Sequence, residues 1–435
     1  MQLPSPPVTS APDEARTNTG IIALCMVITV IEGFNMIVYG SVVPLLLTDT
    51  ALNVTDEQTG LIGGFLYIGA ILGSILSPAL AERIGRKRVL ILAIGLFAIG
   101  ALLTGISVTA TMLGIARFIT GFGVGGSLTT AMTVARNCAP SRRASLVVTI
   151  TMAGIPLGGV IASLVAIPVL SAFSWRAMFF IGGGTALAIL TAVTIMTIPS
   201  NTPQELAGRQ WSSRRKIATL FGGKGALIAG VIALCAIANM VAWQGLNVWA
   251  TQAMVDLGYS LGTALLFTFT LTGAAVAGSF LSAWAADRRG CALVAVLTAA
   301  CTLAGLLGML ALPPSIVTTT LCIALMGIGG HSTMNLIHTT TADIYPLPVR
   351  ATALGWSNGT SFIGAFLGPV VGGAAVASGG AQGLFTAFGA AAAICLVAVF
   401  ALYLTDRVSN SEKAATALSP AGAAGEPSVE VRASA

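Results

Sequence analysis

Long apolar runs, separated by short polar or Pro/Gly breaks, occupy most of this chain of 435 residues. Crossing roughly 30 Å of hydrocarbon takes about 20 apolar residues at 1.5 Å each, and windows of that size can be cut at the breaks. Twelve windows fit, at approximately 20–48, 60–82, 88–108, 111–137, 144–170, 176–198, 226–254, 259–285, 291–311, 315–343, 349–377 and 381–405. They predict an all-α membrane protein of twelve transmembrane helices. Residues 1–19 form a polar N-terminal tail, 199–225 a long central connection, and 406–435 a polar, Ala-rich tail with no pattern that could build a core.

The charges between these runs repeat. Ala81-Glu82-Arg83-Ile84-Gly85-Arg86-Lys87-Arg88 lies between the second and third runs, and a reduced copy, Ala286-Asp287-Arg288-Arg289-Gly290, lies between the eighth and ninth. The offset is 205 residues (287 − 82), and Pro140-Ser141-Arg142-Arg143-Ala144 is echoed by Pro346-Leu347-Pro348-Val349-Arg350-Ala351 at 206 (346 − 140). Two landmarks in register divide the chain into related halves, 20–198 and 226–405. Secondary transporters built from repeats hold their ligand near the bilayer midplane where the halves meet.

Orientation follows from the positive charges. Arg83 to Arg88, Arg142, Arg143, Arg209 to Lys224, Arg288, Arg289, Arg350 and Arg407 fall on one side of the map, which is predicted to be cytoplasmic. The opposite loops carry Asp49, Asp56, Glu57 and Asp256, with Arg176 as the basic residue near that face. Both termini are then cytoplasmic.

Composition agrees with a bilayer. Hydrophobic residues make up 55% and charged residues 8%, against about 25% charged in soluble domains, and mean hydropathy is +0.91. The 51 glycines suit helices packed closely in lipid. The seven cysteines show no metal-ligand or redox spacing and read as small core residues; no metal and no cofactor is expected. The net charge of +6 resides in short loops without an aromatic platform, which excludes nucleic acid as a partner. The first run is long and carries Glu32, so it is a retained span and not a signal peptide.

Ionisable residues inside spans cost at least about 2.5–3.5 kcal/mol at the bilayer centre and need a reason. They are Glu32, Arg117, His331 and His338. Glu32, Asn35 and Tyr39 share one face of the first helix at i, i+3 and i+7. A carboxyl there can take up and release a proton, because burial penalises its charged form; the alternative is a structural acid paired with an arginine or capped by hydroxyls. Arg117, beside the run Gly121-Phe122-Gly123-Val124-Gly125-Gly126, can hold a substrate carboxylate, set the charge balance of Glu32, or serve as a structural partner of Glu32 or of helix-end carbonyls. In the tenth helix His331, Asn335 and His338 share a face that leads to Asp343, and each histidine can relay protons or simply bond a carbonyl. The seventh helix places Asn239, Trp243 and Asn247 on one face beside Gln244, and the eleventh carries Trp356, Asn358 and Phe362. Aromatic faces with amide donors suit a flat ring, although interfacial Trp is as common; Trp249 reads as a residue of the aromatic belt.

The acid-Arg-x-Gly-Arg-Lys-Arg loop with its reduced copy is similar to the signature of the major facilitator superfamily, which implies two pseudo-symmetric six-helix bundles. Glu32-Gly33-Phe34-Asn35, followed by Tyr39-Gly40 and Pro44, resembles the first-helix Asp-Gly-Tyr/Phe-Asp motif of the aromatic acid:proton symporters, with Glu for the first acid and Asn35 for the second. Gly329-Gly330-His331, Asn335, Tyr345-Pro346 and Arg350-Ala351-Thr352 resemble that family's tenth helix and following loop, with His331 where Gln is usual. Phe362 stands near a position where the family often has Arg. Together with the residue chemistry above, the resemblance leads to the expectation of proton coupling through Glu32, Arg117 and His331, and of substrate contacts from Asn35, Tyr39, Arg117, Trp243, Gln244, Asn247, His331, Asn335, His338, Trp356 and Asn358. It implies a gate at Glu82, Arg83, Gly85, Arg86, Asp287 and Arg288 whose contacts form in one state and break in the other; topology determination by charge alone is the alternative.

The expectation is a proton-coupled importer of a small aromatic carboxylate, acting as a monomer in a bacterial inner membrane. The alternatives are a symporter of another organic acid or an exporter. An intramembrane enzyme using His331, Ser332, His338 or Asp343 lacks a nucleophile elbow, an HExxH or a nucleotide motif.

Overall fold

A computed structural model describes residues 18–138, 147, 150–198 and 213–417. The Pro140 to Ala144 landmark, the start of the fifth predicted span, most of the central connection and the outer parts of both tails lie outside the described residues.

The described residues form helices α1 (Thr19–Leu47), α2 (Asp56–Ile84), α3 (Arg86–Gly105), α4 (Ala110–Asn137), α5 (Ile150–Ala172) and α6 (Arg176–Ile195). A short α7 (Ser213–Phe221) precedes α8 (Lys224–Asp256), α9 (Leu261–Arg289), α10 (Cys291–Ala311) and α11 (Ile316–Ile344). The last stretch, Leu347–Ala417, breaks at Gly379 (φ −154°, ψ 17°) and Gly380 (φ 55°, ψ −146°) into α12 (347–378) and α13 (381–417). Each of the twelve predicted spans therefore has its helix. The short α7 inside the central connection was not expected; its nine residues are too few to cross a bilayer.

The twofold repeat is visible in the backbone. Gly85 (φ 88°, ψ 150°) closes α2 and opens α3, and Gly290, 205 residues later (290 − 85), does the same between α9 and α10 at φ 87°, ψ 145°. Positive φ is a conformation in which a Cβ is strained, so each basic loop turns on a glycine. The caps repeat as well: Thr55 and Ser260 (260 − 55 = 205) accept from Gln58 N and Thr263 N, while Thr109 and Ser315 (315 − 109 = 206) accept from Met112 N and Thr318 N.

Within the first bundle α2 and α4 approach backbone to backbone. A Cβ on Gly69 or Gly73 would strike the Phe118 or Phe122 carbonyl, and one on Gly121 or Gly125 would strike the Leu66 or Ala70 carbonyl. Both helices thus present a small-xxx-small stripe, the device that lets helices pack in lipid, where apolar burial alone gives no drive.

The bundles meet through α2 on α12, α5 on α9 and α1 on α8. These contacts lie toward the end opposite the basic loops: Gly64 faces the Phe366 ring, Gly373 faces the Asp56 carbonyl and Gly40 faces Asn247. One apolar core there contains residues of both bundles, among them Val42, Leu46, Trp175, Leu246, Trp249 and Phe388. Toward the basic loops the cores separate: Ile21, Leu90, Val134 and Val193 belong to the first bundle, and Ile232, Val294, Val349 and Leu402 to the second. Among the described residues, the bundles share one apolar core at the end opposite the basic loops and have separate cores at the basic end. Trp249 corrects the reading of it as a belt residue: it is 0% exposed, and its indole N–H donates to the Pro369 carbonyl at 2.9 Å.

Candidate substrate and proton site

Glu32, in the middle of α1, is 1% exposed. The reason is local: Gly33 leaves no Cβ between α1 and the Ile155 backbone of α5, and Gly158 on α5 is pressed in turn against Val30 and Phe34. Helices this close exclude both lipid and water. One carboxyl oxygen, Oε1, accepts from the Ser127 hydroxyl of α4, and among the described residues the buried Oε2 has no hydrogen-bond partner.

One turn along α1, the Asn35 amide donates to the Ile31 carbonyl at 3.1 Å and leaves its own Oδ1 unpartnered. The Asn35 backbone carbonyl accepts from Arg117 Nη1 at 3.3 Å. Arg117 is 2% exposed, its guanidinium carbon lies 4.7 Å from the centre of the Tyr39 ring, and its Nε is unpartnered. Tyr39 is fixed in turn, its hydroxyl donating to the Thr59 carbonyl of α2 at 2.8 Å. No ion pair joins Arg117 to Glu32, so the reading of Arg117 as a structural partner of that acid does not describe this arrangement. A guanidinium enclosed with one carbonyl and one ring face is under-compensated, since burying a charge costs several kcal/mol that these contacts offset only in part.

The second bundle contributes rings and amides. Trp243 on α8 and His331 on α11, both buried, stand 6.0 Å apart between ring centroids at 50°. Asn239 on α8 donates to the Gly330 carbonyl at 3.1 Å and so fixes α11 beside His331. Asn247 donates to the Trp243 carbonyl at 2.8 Å and to Gln244 Oε1 at 3.2 Å, with its own Oδ1 buried and unpartnered. Toward the basic end, His338 Nδ1 and Ser357 Oγ of α12 lie 3.1 Å apart, and Asn335 is half-buried. Asn358 is exposed, four residues before Phe362 and eight before Phe366, on the stripe of α12 that faces the first bundle.

Trp356 stands elsewhere. Its indole N–H donates to the Ala229 carbonyl at 2.8 Å and its ring meets Phe221 of α7 edge-on at 5.0 Å, so it packs the basic end of the second bundle. The expected site thus divides into a buried acid and cation in one bundle, a Trp, His and amide group in the other, and a more accessible Asn335, His338 and Asn358 between the separated ends.

Of the gate residues, Glu82, Arg83, Asp287 and Arg288 are exposed and Arg86 is buried. Arg288 folds back on its own helix, its guanidinium 4.0 Å from the Trp284 ring. Among the described residues, none of Glu82, Arg83, Asp287 and Arg288 reaches the other bundle through a hydrogen bond or ion pair. Sequence reasoning passed over Ser127, whose signal was faint: one hydroxyl at the end of a glycine-rich run.

The sequence matches the Major Facilitator Superfamily over residues 25–322 and 232–430. It is 31% identical over 382 residues to the gentisate transporter of Corynebacterium glutamicum, covering 86% of this chain and 85% of that protein. It is 26% identical over 386 residues to the benzoate transport protein of Acinetobacter baylyi, covering 81% and 82%. The fold superposes on the crystal structure of a D-xylose-proton symporter with a TM-score of 0.71 at 16% identity, covering 89% of this chain and 97% of that one. With its twelve spanning helices in two related bundles, the chain belongs to the major facilitator superfamily and is a multi-pass membrane transporter.

Proposed function

We propose that this protein is a proton-coupled importer of a small aromatic carboxylate, benzoate-like or hydroxybenzoate-like, working by alternating access. The observation that carries this reading is the pair of buried, unmatched charges in the first bundle: Glu32 with one oxygen free, and Arg117 with no carboxylate beside it. A protonated Glu32 and an anionic ligand together would make the loaded bundle electrically easier to carry through a low-dielectric state than either alone. Gentisate and benzoate, carried by the two relatives named above, are flat rings bearing one carboxylate. Trp243 and His331 offer ring faces, and Gln244, Asn247, Asn335 and Asn358 offer amides for ring hydroxyls. Arg117 is enclosed in this arrangement, so on this reading a substrate carboxylate reaches it after the bundles move.

The basic loops face the cytoplasm of a bacterial inner membrane by the positive-inside rule, both termini lie inside, and the arrangement seen is open inward. Residues 20–198 and 226–405 act as the two rocking units of a single chain, joined by the connection at 199–225, with Glu82, Arg83, Gly85, Arg86, Asp287 and Arg288 as the inner gate. Purified protein in liposomes tests the function. An inward proton gradient is expected to drive accumulation of chemically unchanged radiolabelled benzoate or hydroxybenzoate, and an uncoupler to abolish it. Equal uptake with and without the gradient would refute coupling, and accumulation of aliphatic acids alone would refute the aromatic substrate.

A further inference from the structure

Among the described residues, Ser127 is the one hydrogen-bond partner of the Glu32 side chain, and its surroundings give that bond a direction. Its Oγ is within reach of three acceptors: Glu32 Oε1, the Gly123 carbonyl at 2.8 Å and the Val124 carbonyl at 3.2 Å. A hydroxyl has one hydrogen, so these three compete for it. An ionised carboxylate wins, because charge-assisted hydrogen bonds are about twice as strong as neutral ones. A neutral carboxyl does not hold that advantage, and the hydrogen then returns to Gly123, the i−4 bond that serines commonly make inside helices. Ser127 and Glu32 Oε1 are both fully enclosed, so water cannot substitute for either partner.

We infer that Ser127 is the positioning residue of the proton site. It holds Glu32 through Oε1, leaves the unpartnered Oε2 as the oxygen that exchanges the proton, and exchanges its own hydrogen between the Glu32 carboxylate and the Gly123 carbonyl as Glu32 discharges and recharges. The inference rests on the proton-coupled reading above. Ser127 neither gains nor loses a proton overall; the proton that Glu32 takes up is the one it later releases. Because the back-bond to Gly123 slightly bends a helix, the charge state of α1 would be felt in α4, the helix that carries Arg117. Gly123 is packed on the Ala93 and Phe97 backbone of α3, so the segment can transmit a small bend.

Other titratable groups do not take this role. The other titratable side chains within these helices are Cys25 and Tyr39 on α1, Arg117 and Arg136 on α4, and Tyr67 in the body of α2, with Arg117 stacked on Tyr39. Of the further helices packed on α1, α5 carries no ionisable side chain, and those of α6, α8 and α9 stand at helix ends apart from Cys235.

The test is the pH dependence of benzoate uptake by Ser127→Ala, Ser127→Thr and wild type in liposomes, with counterflow exchange measured in parallel. Losing the hydroxyl removes the donor that favours the ionised carboxylate, so the midpoint for Ser127→Ala is expected to move about one pH unit upward. Ser127→Thr keeps the hydroxyl and is expected to keep the wild-type midpoint. A purely structural serine would lower uptake and counterflow alike at every pH and leave the midpoint in place, and that result would overturn the inference while leaving proton coupling intact. Wild-type uptake that is itself independent of pH would overturn coupling, and this inference with it.

Discussion

The guanidinium of Arg117 lies over the face of Tyr39, 4.7 Å from the ring centre, and one of its nitrogens donates to the Asn35 carbonyl at 3.3 Å. A permanent cation in the membrane interior is thus held by a ring and a carbonyl with no acid beside it. That arrangement favours a planar, delocalised ion over a point charge, because only the former can stack and still keep donors free.

Arg117→Lys is therefore expected to fold and insert but to lose uptake of an aromatic acid by at least about tenfold, equivalent to about 1.4 kcal/mol. Lysine keeps the charge and loses the fork. Pairing the measurement with binding of the acid and of its uncharged amide separates the roles. Wild type is expected to prefer the acid, and Arg117→Lys to lose most of that preference. Equal binding of acid and amide by wild type would remove the anion from the scheme, and normal uptake by Arg117→Lys would reduce Arg117 to a packing residue.

Glu32→Gln keeps the volume and the acceptor for Ser127 but cannot cycle a proton. Accumulation driven by a proton gradient is expected to vanish, while counterflow, which needs no net proton movement, stays measurable. Proton-driven accumulation that survived the change would move coupling elsewhere, most directly to His331 against Trp243.

At the opposite end Asp49 gathers Trp175 Nε1 at 2.8 Å and Arg176 Nη1 at 3.1 Å. The Trp175 N–H first, then the Ala51 backbone N–H and the Arg176 guanidinium, hold its carboxyl below the usual carboxylate range. A folded-state value below the unfolded one means that the cluster stabilises the protein above about pH 4 and ceases to do so as pH falls through the lower folded-state value. Asp49→Asn is expected to lower the melting temperature at pH 7 by the equivalent of about 1 kcal/mol or less, since the site is partly open to solvent. The gap between mutant and wild type should narrow as pH falls below about 4 toward the lower folded-state value; a gap that did not change with pH would mean that the amide disturbs packing rather than charge.

Apolar runs made the twelve spans legible, because a bilayer imposes one length on every helix and the polar breaks mark its surfaces. The ends moved by a few residues where helices run past the hydrocarbon, as α8 does from Lys224 to Asp256. The repeat was legible in Gly85 and Gly290, which share a conformation as well as a spacing. Contacts across the fold were less accessible. Nothing in the spacing of α1 and α4 says that Ser127 meets Glu32, since their neighbours fix where they lie: Gly33 closes α1 on Ile155 of α5, and Gly121 and Gly125 close α4 on Leu66 and Ala70 of α2. Trp356 and Trp249 illustrate a second limit: an indole reads alike in sequence whether it faces a ligand, a lipid or a carbonyl, and here both donate to carbonyls.

The gate offers the last test. Asp287 is exposed at the end of α9 and, among the described residues, makes no hydrogen bond or ion pair to the first bundle, whose apolar core at the basic end is separate from that of the second. Neutralising it costs this arrangement nothing. A state closed at the basic end must bring Asp287 and the Glu82 to Arg86 loop near the partner bundle, where the charge would meet arginines or helix ends. Asp287→Asn is therefore expected to shift the population toward the arrangement seen here. Asn358, exposed on the α12 stripe that faces the first bundle, supplies the reporter. With Asn358→Cys in a background whose accessible native cysteines are replaced, Asp287→Asn should raise labelling from the basic side several-fold, about fivefold for a shift of about 1 kcal/mol. Unchanged labelling would leave Asp287 as a determinant of topology alone.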